Sequence, residues 1–389
     1  MLEGQNIICF SKDWSQDPTC NNHVMRILSQ KNNVIWINYI IRKPNLASGR
    51  DLHKIARALA RFFKGPTRVT DNLYVFSPLV LPLPHSRLAA SINQRILTLA
   101  LARLRRRLRI DRFQLWSFLP SAAPYIGKLG ESLTVYYCTD DFSQFSFVDG
   151  AGMAAADEQL CRRADVVFAT ARNLHEKRLP LNPETHLALH GVDHQHFASA
   201  LATETVIPPD LASHGNPILG FFGWIHDWID LDLIASLAER RPDWTIALIG
   251  KASVDVTRLQ RHPNIRLLGQ RPYSQLPGYC KAFSVALLPF VVNELTKGVN
   301  PIKLREYLSA GLPVVSTDLP EVSSYRDGCS IARSGDEFVA ACERAIAADS
   351  PARRQARSQA MAAETWEARV SEIGDIVHEV ARRRDTTAA

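Results

Sequence analysis

The chain has 389 residues, 46% of them hydrophobic and 22% charged, which is the usage of a folded globular protein and excludes a disordered, collagen-like or disulfide-stapled one. At roughly 150 residues per domain this length predicts two domains. The net charge of +7 is unevenly placed: residues 1–200 carry 25 Lys and Arg against 16 Asp and Glu, while the remainder carries 21 against 23, so an anionic partner is expected on the first half.

No apolar run reaches the roughly 18 to 20 residues of a membrane-spanning helix, and the first residues, MLEGQNIICFSKDW, lack a basic stretch followed by an apolar one. The expectation is a cytoplasmic protein. Seven scattered cysteines with no CxxC pair read as buried free thiols, signalling neither a disulfide framework nor a zinc site.

Short β-branched runs alternate with stretches of helical period, the pattern of βα units around parallel sheets. The first half offers strands at Asn6–Phe10, Val34–Asn38, Leu73–Ser77, Gln114–Ser117, Thr134–Cys138, Val166–Ala169 and Thr185–Ala188. The second offers Ile218–Phe222, Thr245–Ile249, Ile265–Leu268, Val285–Pro289, Val314–Ser316 and Cys329–Ala332. Between the sets, 198–216 holds Pro208, Pro209 and Gly215 without a clear period and reads as a linker. The expected organisation is a first domain over 1–197, a second over 217–364 and a helix from 365 returning to the first domain, its last residues 385–389 frayed.

The most informative stretch is ELTKGVNPIKLREYLSAGLPVVST (294–317). Pro301 opens a predicted helix of about three turns and Gly311 closes it. Unpaired amides and the helix dipole at such an opening favour a diphosphate, and Lys297 and Lys303 add cations beside it. Glu306, three residues after Lys303, could take both hydroxyls of a ribose; an ordinary Lys/Glu pair on a solvated helix face is about as compatible with the spacing. Lys251, at the end of a predicted strand, is either a second phosphate cation or a solvated side chain. Asp140 and Asp141 follow the strand 134–138, where a carboxylate could accept a proton from an acceptor hydroxyl or cap the next turn. Asp140 is read as the site residue, Asp141 as its support. His190, His194 and His196 lack metal-ligand spacing and read as a packed loop.

The stretch NPIKLREYLSAGLPVVSTDLPEV resembles the sugar-nucleotide motif of GT-B glycosyltransferases, in particular the bacterial group in or near family 4. VYYCTDDFSQF, LCRRADVVFATA, LALHGVDHQHF, ILGFFGWIHDWIDLDLI and TWEARVSEI are similar to that group in the same order. The resemblance implies two Rossmann-like domains facing a cleft and transfer of a sugar from a nucleoside diphosphate donor, a UDP-sugar being favoured, with no cofactor and no metal. It implies Glu306 on the ribose, Lys303 and the amides around Thr296–Asn300 on the diphosphate, Gly223 as a close-approach loop, and Arg271 and Tyr273 near the nucleobase. Two departures stand out. The acidic residue that the group places eight positions before Glu306 is Gly298 here, with Glu294, Thr296 and Asn300 nearby. The segment LWSFLPSAAP (115–124) also lacks the group's histidine. Retention follows from the resemblance, whereas a base at Asp140 suits inversion.

Residues 50–112 hold 14 Lys and Arg against 3 acids. HKIARALARFFKGPTR and RILTLALARLRRRLRIDR combine apolar and basic positions at helical spacing, as helices lying on an anionic membrane do, or as solvated helices packed on a sheet do. The aromatic-interleaved pattern of nucleic-acid modules is missing, so no nucleic acid is expected. The membrane reading fits an acceptor that is a glycan or a polyprenyl-diphosphate-linked precursor, handled peripherally at the inner membrane face. A nucleotide-sugar 2-epimerase and a non-catalytic membrane-bound scaffold are the competing functions.

Overall fold

A computed structural model describes residues 2–16, 18–39, 62, 64–81, 86–212 and 215–388. The chain divides into two compact units, Met1–Leu189 with Arg369–Ala389, and His190–Ala368.

In the first unit β1 (Asn6–Ser11), β2 (Asn33–Asn38), β3 (Thr67–Arg68), β4 (Leu73–Phe76), β5 (Gln114–Ser117), β6 (Leu133–Cys138), β7 (Val166–Ala169) and β8 (Thr185–Leu187) form one sheet in the order β3-β4-β2-β1-β5-β6-β7-β8. Its pairings are parallel except that of the two-residue β3 with β4, an edge the sequence pattern did not mark. β5, β6 and β7 are buried along their whole length, because helices on both faces leave a parallel strand no polar side to show. Ile8, Phe10, Ile35, Leu115 and Tyr136 carry the core.

The helix Arg87–Leu108 starts at Ser86, whose hydroxyl accepts the Ala89 amide at 3.3 Å, and stops at Arg109, the single described non-glycine residue with positive φ (56°). It buries Ala89, Asn93, Leu97, Leu101 and Leu104 and exposes the opposite stripe. The other basic segment, 53–68, lies mostly outside the described residues. The final helix runs from Trp366 to Ala388, correcting the expectation of fraying from 385: Arg112 pairs with Asp385 at 2.5 Å, and Arg383 pairs with Glu184. Val370, Ile373, Val377 and Val380 are its buried side.

In the second unit β9 (Ile218–Phe222), β10 (Thr245–Ile249), β11 (Ile265–Gly269), β12 (Val285–Leu288), β13 (Val314–Thr317) and β14 (Cys329–Ala332) form a wholly parallel sheet in the order β11-β10-β9-β12-β13-β14. The chain winds outward from β9 to β11 and then crosses to β12 on the other side of β9. Loops after β9 and β12 therefore leave the sheet in opposite directions, and the gap they open is where an open α/β sheet takes its ligand. The stretch 198–216 belongs to this unit; Ser199–Leu201 is a 3₁₀ turn, and Lys281 donates to the Ala202 and Thr203 carbonyls. All seven cysteines are buried free thiols. Among the described residues no helix is long and apolar enough to cross a membrane.

Candidate functional site

The helix Ile302–Ser309 follows β12 through 289–301, a stretch that includes the one-turn helix Glu294–Lys297, with Pro301 at its N-cap. The Pro301 carbonyl accepts the Leu304 amide at 3.1 Å, and Pro301 itself contributes no donor. Tyr307 fixes the helix against the sheet: its hydroxyl accepts the Phe222 amide at 2.9 Å at the end of β9, and the two rings meet edge to face at 4.6 Å. This places the helix opening beside the loop after β9.

Two glycines make that approach possible. Gly223 has φ +143°, and a Cβ there would lie 2.0 Å from Cε of Lys303; Gly250, φ +145°, would put a Cβ 1.8 Å from the Gly223 carbonyl oxygen. The Lys303 side chain thus lies across a backbone bare of side chains, with its ammonium 6.0 Å from the centre of the Phe221 ring. One turn on, Glu306 is only 8% exposed. Burial pushes its carboxyl up to about 7, the Lys303 cation opposing and the Asp193 carboxylate reinforcing the shift. A buried carboxylate beside a lysine, at the open end of a helix, is suited to neutral hydroxyls and an adjoining polyphosphate.

The loop before the helix is braced from within. Arg305, 1% exposed, donates to Glu364 at 2.9 Å and to Oδ1 of Asn300 at 2.7 Å, and Tyr325 donates to the same Glu364 oxygen at 2.6 Å. Thr296 is fully buried; its hydroxyl donates to the Val291 carbonyl at 2.5 Å and accepts the Asn293 amide. The Thr296 hydroxyl and the Asn300 Oδ1 thus serve to shape the loop. Lys297 is exposed and pairs with Glu294 at 2.7 Å. Lys251 is exposed at the end of β10, where its carbonyl accepts the Ile225 amide.

Arg271 does not offer a free guanidinium to a base. It donates to the Tyr279 hydroxyl at 2.7 Å and to Asp210 at 3.0 Å, tying the stretch before β9 to the helix Leu276–Ala282. Tyr273 stacks on His196 with ring centres 4.5 Å apart, and the His196 ring meets the Tyr273 carbonyl at 3.0 Å. A cavity of about 650 Å³ in this region is lined by residues that include His196, Asp210 and Tyr279 but not Gly223, Lys303 or Glu306. The histidines pack as the loop reading expects, His194 on the Ser358 carbonyl at 2.9 Å. Among the described residues no group of three or more His, Cys, Asp or Glu comes together as metal ligands do.

In the first unit Asp140 and Asp141 follow β6, as the sequence places them. Asp141 accepts the Ser143 hydroxyl at 2.6 Å and faces Lys177 at 3.5 Å. Asp140 is half-buried and, with Lys12, acts electrostatically on Cys20 at the start of the helix Cys20–Leu28. Sequence reasoning missed Asp157, which bonds the Tyr136 hydroxyl and pairs with Arg178 at 3.1 Å; its burial raises the carboxyl above its usual range. An aspartate in mid-helix carries no sequence signal until β6 and the helix Arg172–Arg178 are packed against it.

Two doubly wound parallel sheets, with this glycine, lysine and glutamate arrangement at the switch point of the second, define the GT-B fold. Residues 216–348 match the family profile described as Glycosyl transferases group 1, and the chain resembles the GT-B enzymes of that group. The Bacillus subtilis (strain 168) protein TuaH, named as a teichuronic acid biosynthesis glycosyltransferase, is 30% identical over 205 residues, covering 49% of this chain and 51% of TuaH. The chain thus spans about half the length of the curated relative it matches. Sucrose-phosphate synthase from Thermosynechococcus elongatus superposes with a TM-score of 0.70 at 14% identity, over 99% of this chain and 100% of that one. Anabaena HepE in complex with UDP and glucose gives 0.60 at 14% identity over 98% of each chain. The E. coli trehalose-6-phosphate structure bound with UDP-2-fluoro glucose gives 0.62 at 14% over 98% of each. At such identities these structures share the fold.

Proposed function

We propose that the protein is a glycosyltransferase that holds a nucleoside diphosphate sugar, a UDP-sugar being favoured, at the opening of the helix Ile302–Ser309. The observation that carries this is the Lys303 side chain laid across Gly223 with the buried Glu306 one turn behind it. As the bond between sugar and diphosphate breaks, charge grows on the departing phosphate. A fixed cation and the positive end of the helix dipole stabilise that charge best in a site they need not rearrange to serve. Glu306 accepts the ribose hydroxyls and so fixes the position of the phosphates behind them. In the first unit Asp140 takes the acceptor proton, with Asp141 held to Ser143 and Lys177. The acceptor is a glycan or a lipid-linked precursor of a cell-surface polysaccharide, a reading supported by the match to TuaH and by the basic first half.

Titration calorimetry with UDP tests the donor site. Glu306→Ala should weaken binding by about 100-fold or more, the loss of two hydrogen bonds to a charged acceptor; unchanged affinity would remove Glu306 from the ribose. Asp140→Asn should abolish transfer and leave UDP affinity as it was, and retained turnover would place the base elsewhere.

A further inference from the structure

The loop that begins at Gly223 continues as Trp224-Ile225-His226-Asp227-Trp228; Trp228 packs against the core, whereas Trp224 is exposed and belongs to neither the core nor the donor site described so far. Ile225 is buried and pairs as a short parallel bridge with Ala252. Trp224 is turned outward and 42% exposed, yet it is not loose: its indole N–H donates to the Ser253 hydroxyl at 2.7 Å. Its ring meets His226 edge on at 4.8 Å and Trp228 at 5.1 Å, and His226 stacks on Trp228 at 4.4 Å with 17° between planes. Three rings brace one another while that of Trp224 shows surface to solvent one residue from the glycine that Lys303 crosses.

An exposed tryptophan held at one edge and packed on its neighbours leaves apolar surface in water without gaining burial. Such a ring has a negative face. A pyranose presents C–H groups on one face and hydroxyls around its rim, so its C–H face suits an aromatic ring and its rim suits polar groups beside that ring. The His226–Asp227 pair, 2.6 Å apart, supplies polar groups within the same loop. Gly298, in the stretch that leads into the helix, brings no side chain to hold sugar hydroxyls. We infer that Trp224 is the stacking surface for the sugar ring of the donor and a determinant of which sugar is accepted. This rests on the donor site proposed above.

The test compares UDP with UDP-glucose, UDP-N-acetylglucosamine and UDP-glucuronate by calorimetry on the full chain. In the native protein at least one sugar conjugate should bind more tightly than UDP. Trp224→Ala should leave UDP affinity within about twofold while reducing that conjugate's advantage by about fivefold or more, and Trp224→Phe should restore most of it. An equal loss for UDP and its conjugates would mean that the ring stacks on the base or merely shapes the loop, and would overturn the inference. Unchanged affinity for all ligands in Trp224→Ala would do the same. Failure of every ligand to bind the native chain would instead remove the donor site itself, and the inference with it. Circular dichroism and melting temperature verify that the variants are folded.

Discussion

Glu306 shows how one side chain ties function to stability. Its carboxyl is pushed from 4.5 up to about 7 by burial, so the folded chain binds that proton more tightly than the unfolded one between those values. The group's contribution to stability is therefore fully present below about pH 4.5 and is lost as pH rises through about 7. Glu306→Gln keeps the shape and removes the titration. The variant should gain stability relative to the native chain as pH climbs across that window, by on the order of 2–3 kcal/mol once Glu306 is ionised, and the difference should stay level above it. Denaturant melts at pH 5 and pH 8 measure this, and a difference that does not change with pH would contradict the buried, proton-holding environment. Residues that hold such a site are also expected to weaken the fold, because a carboxylate kept from water for a ligand's use is unfavourable until the ligand arrives.

At the level of elements, the helix Ile302–Ser309 is as much a braced object as a ligand-binding one. Arg305 links Asn300 before the helix to Glu364 well beyond it. Arg305→Met should destabilise the protein by about 2–4 kcal/mol, since Glu364 then loses a partner while remaining three-quarters buried. Arg305→Lys should recover only part of this, a single ammonium being unable to span both acceptors as the guanidinium fork does. Melting of the two variants checks both statements. Gly250→Ala is the complementary backbone test. A methyl group would meet the Gly223 carbonyl in a conformation only glycine adopts easily, so stability and UDP affinity should fall together. The central strands of this sheet were legible because fully buried parallel strands write themselves as continuous apolar runs: Ile218–Phe222 and Thr245–Ile249 have the same limits in sequence and structure. The helix opening was legible from Pro301 and Gly311. What sequence could not show is where polar atoms spend themselves. Thr296, Asn300 and Arg271 have the chemistry of ligand contacts, and each is committed to protein partners far enough along the chain, or oriented by a turn local enough, that spacing gives no sign of it. Trp224 carried no sign of its exposure, since a tryptophan in an apolar segment looks the same whether it is buried or not.

Across the whole molecule the dominant asymmetry is charge, and the helix Arg87–Leu108 shows where some of it is displayed. Leu88, Ile92, Arg95, Leu99, Arg103 and Arg106 are exposed at spacings of three or four, so they run along one side of the helix, and Leu88 and Leu99 are 73% and 69% exposed. Two isolated leucines in water need no explanation, but leucines alternating with arginines on a helix whose other side is already packed match a surface that rests on an anionic bilayer. Arg105 does not share this stripe: it donates to the Ile110 carbonyl at 3.2 Å and lies 4.6 Å over the Phe113 ring. The informative variants are therefore Arg95, Arg103 and Arg106 together changed to Gln, and Leu88 with Leu99 changed to Ser. At about 1 kcal/mol per cation near such a surface, the arginine variant should sediment with phosphatidylglycerol vesicles about a hundredfold more weakly at low salt, and the difference should shrink as salt screens the native chain. The leucine variant should lose binding at every salt concentration, because apolar insertion is not screened. If both variants sediment as the native chain does, this helix does not face the membrane, and the excess positive charge of the first half must serve another anion.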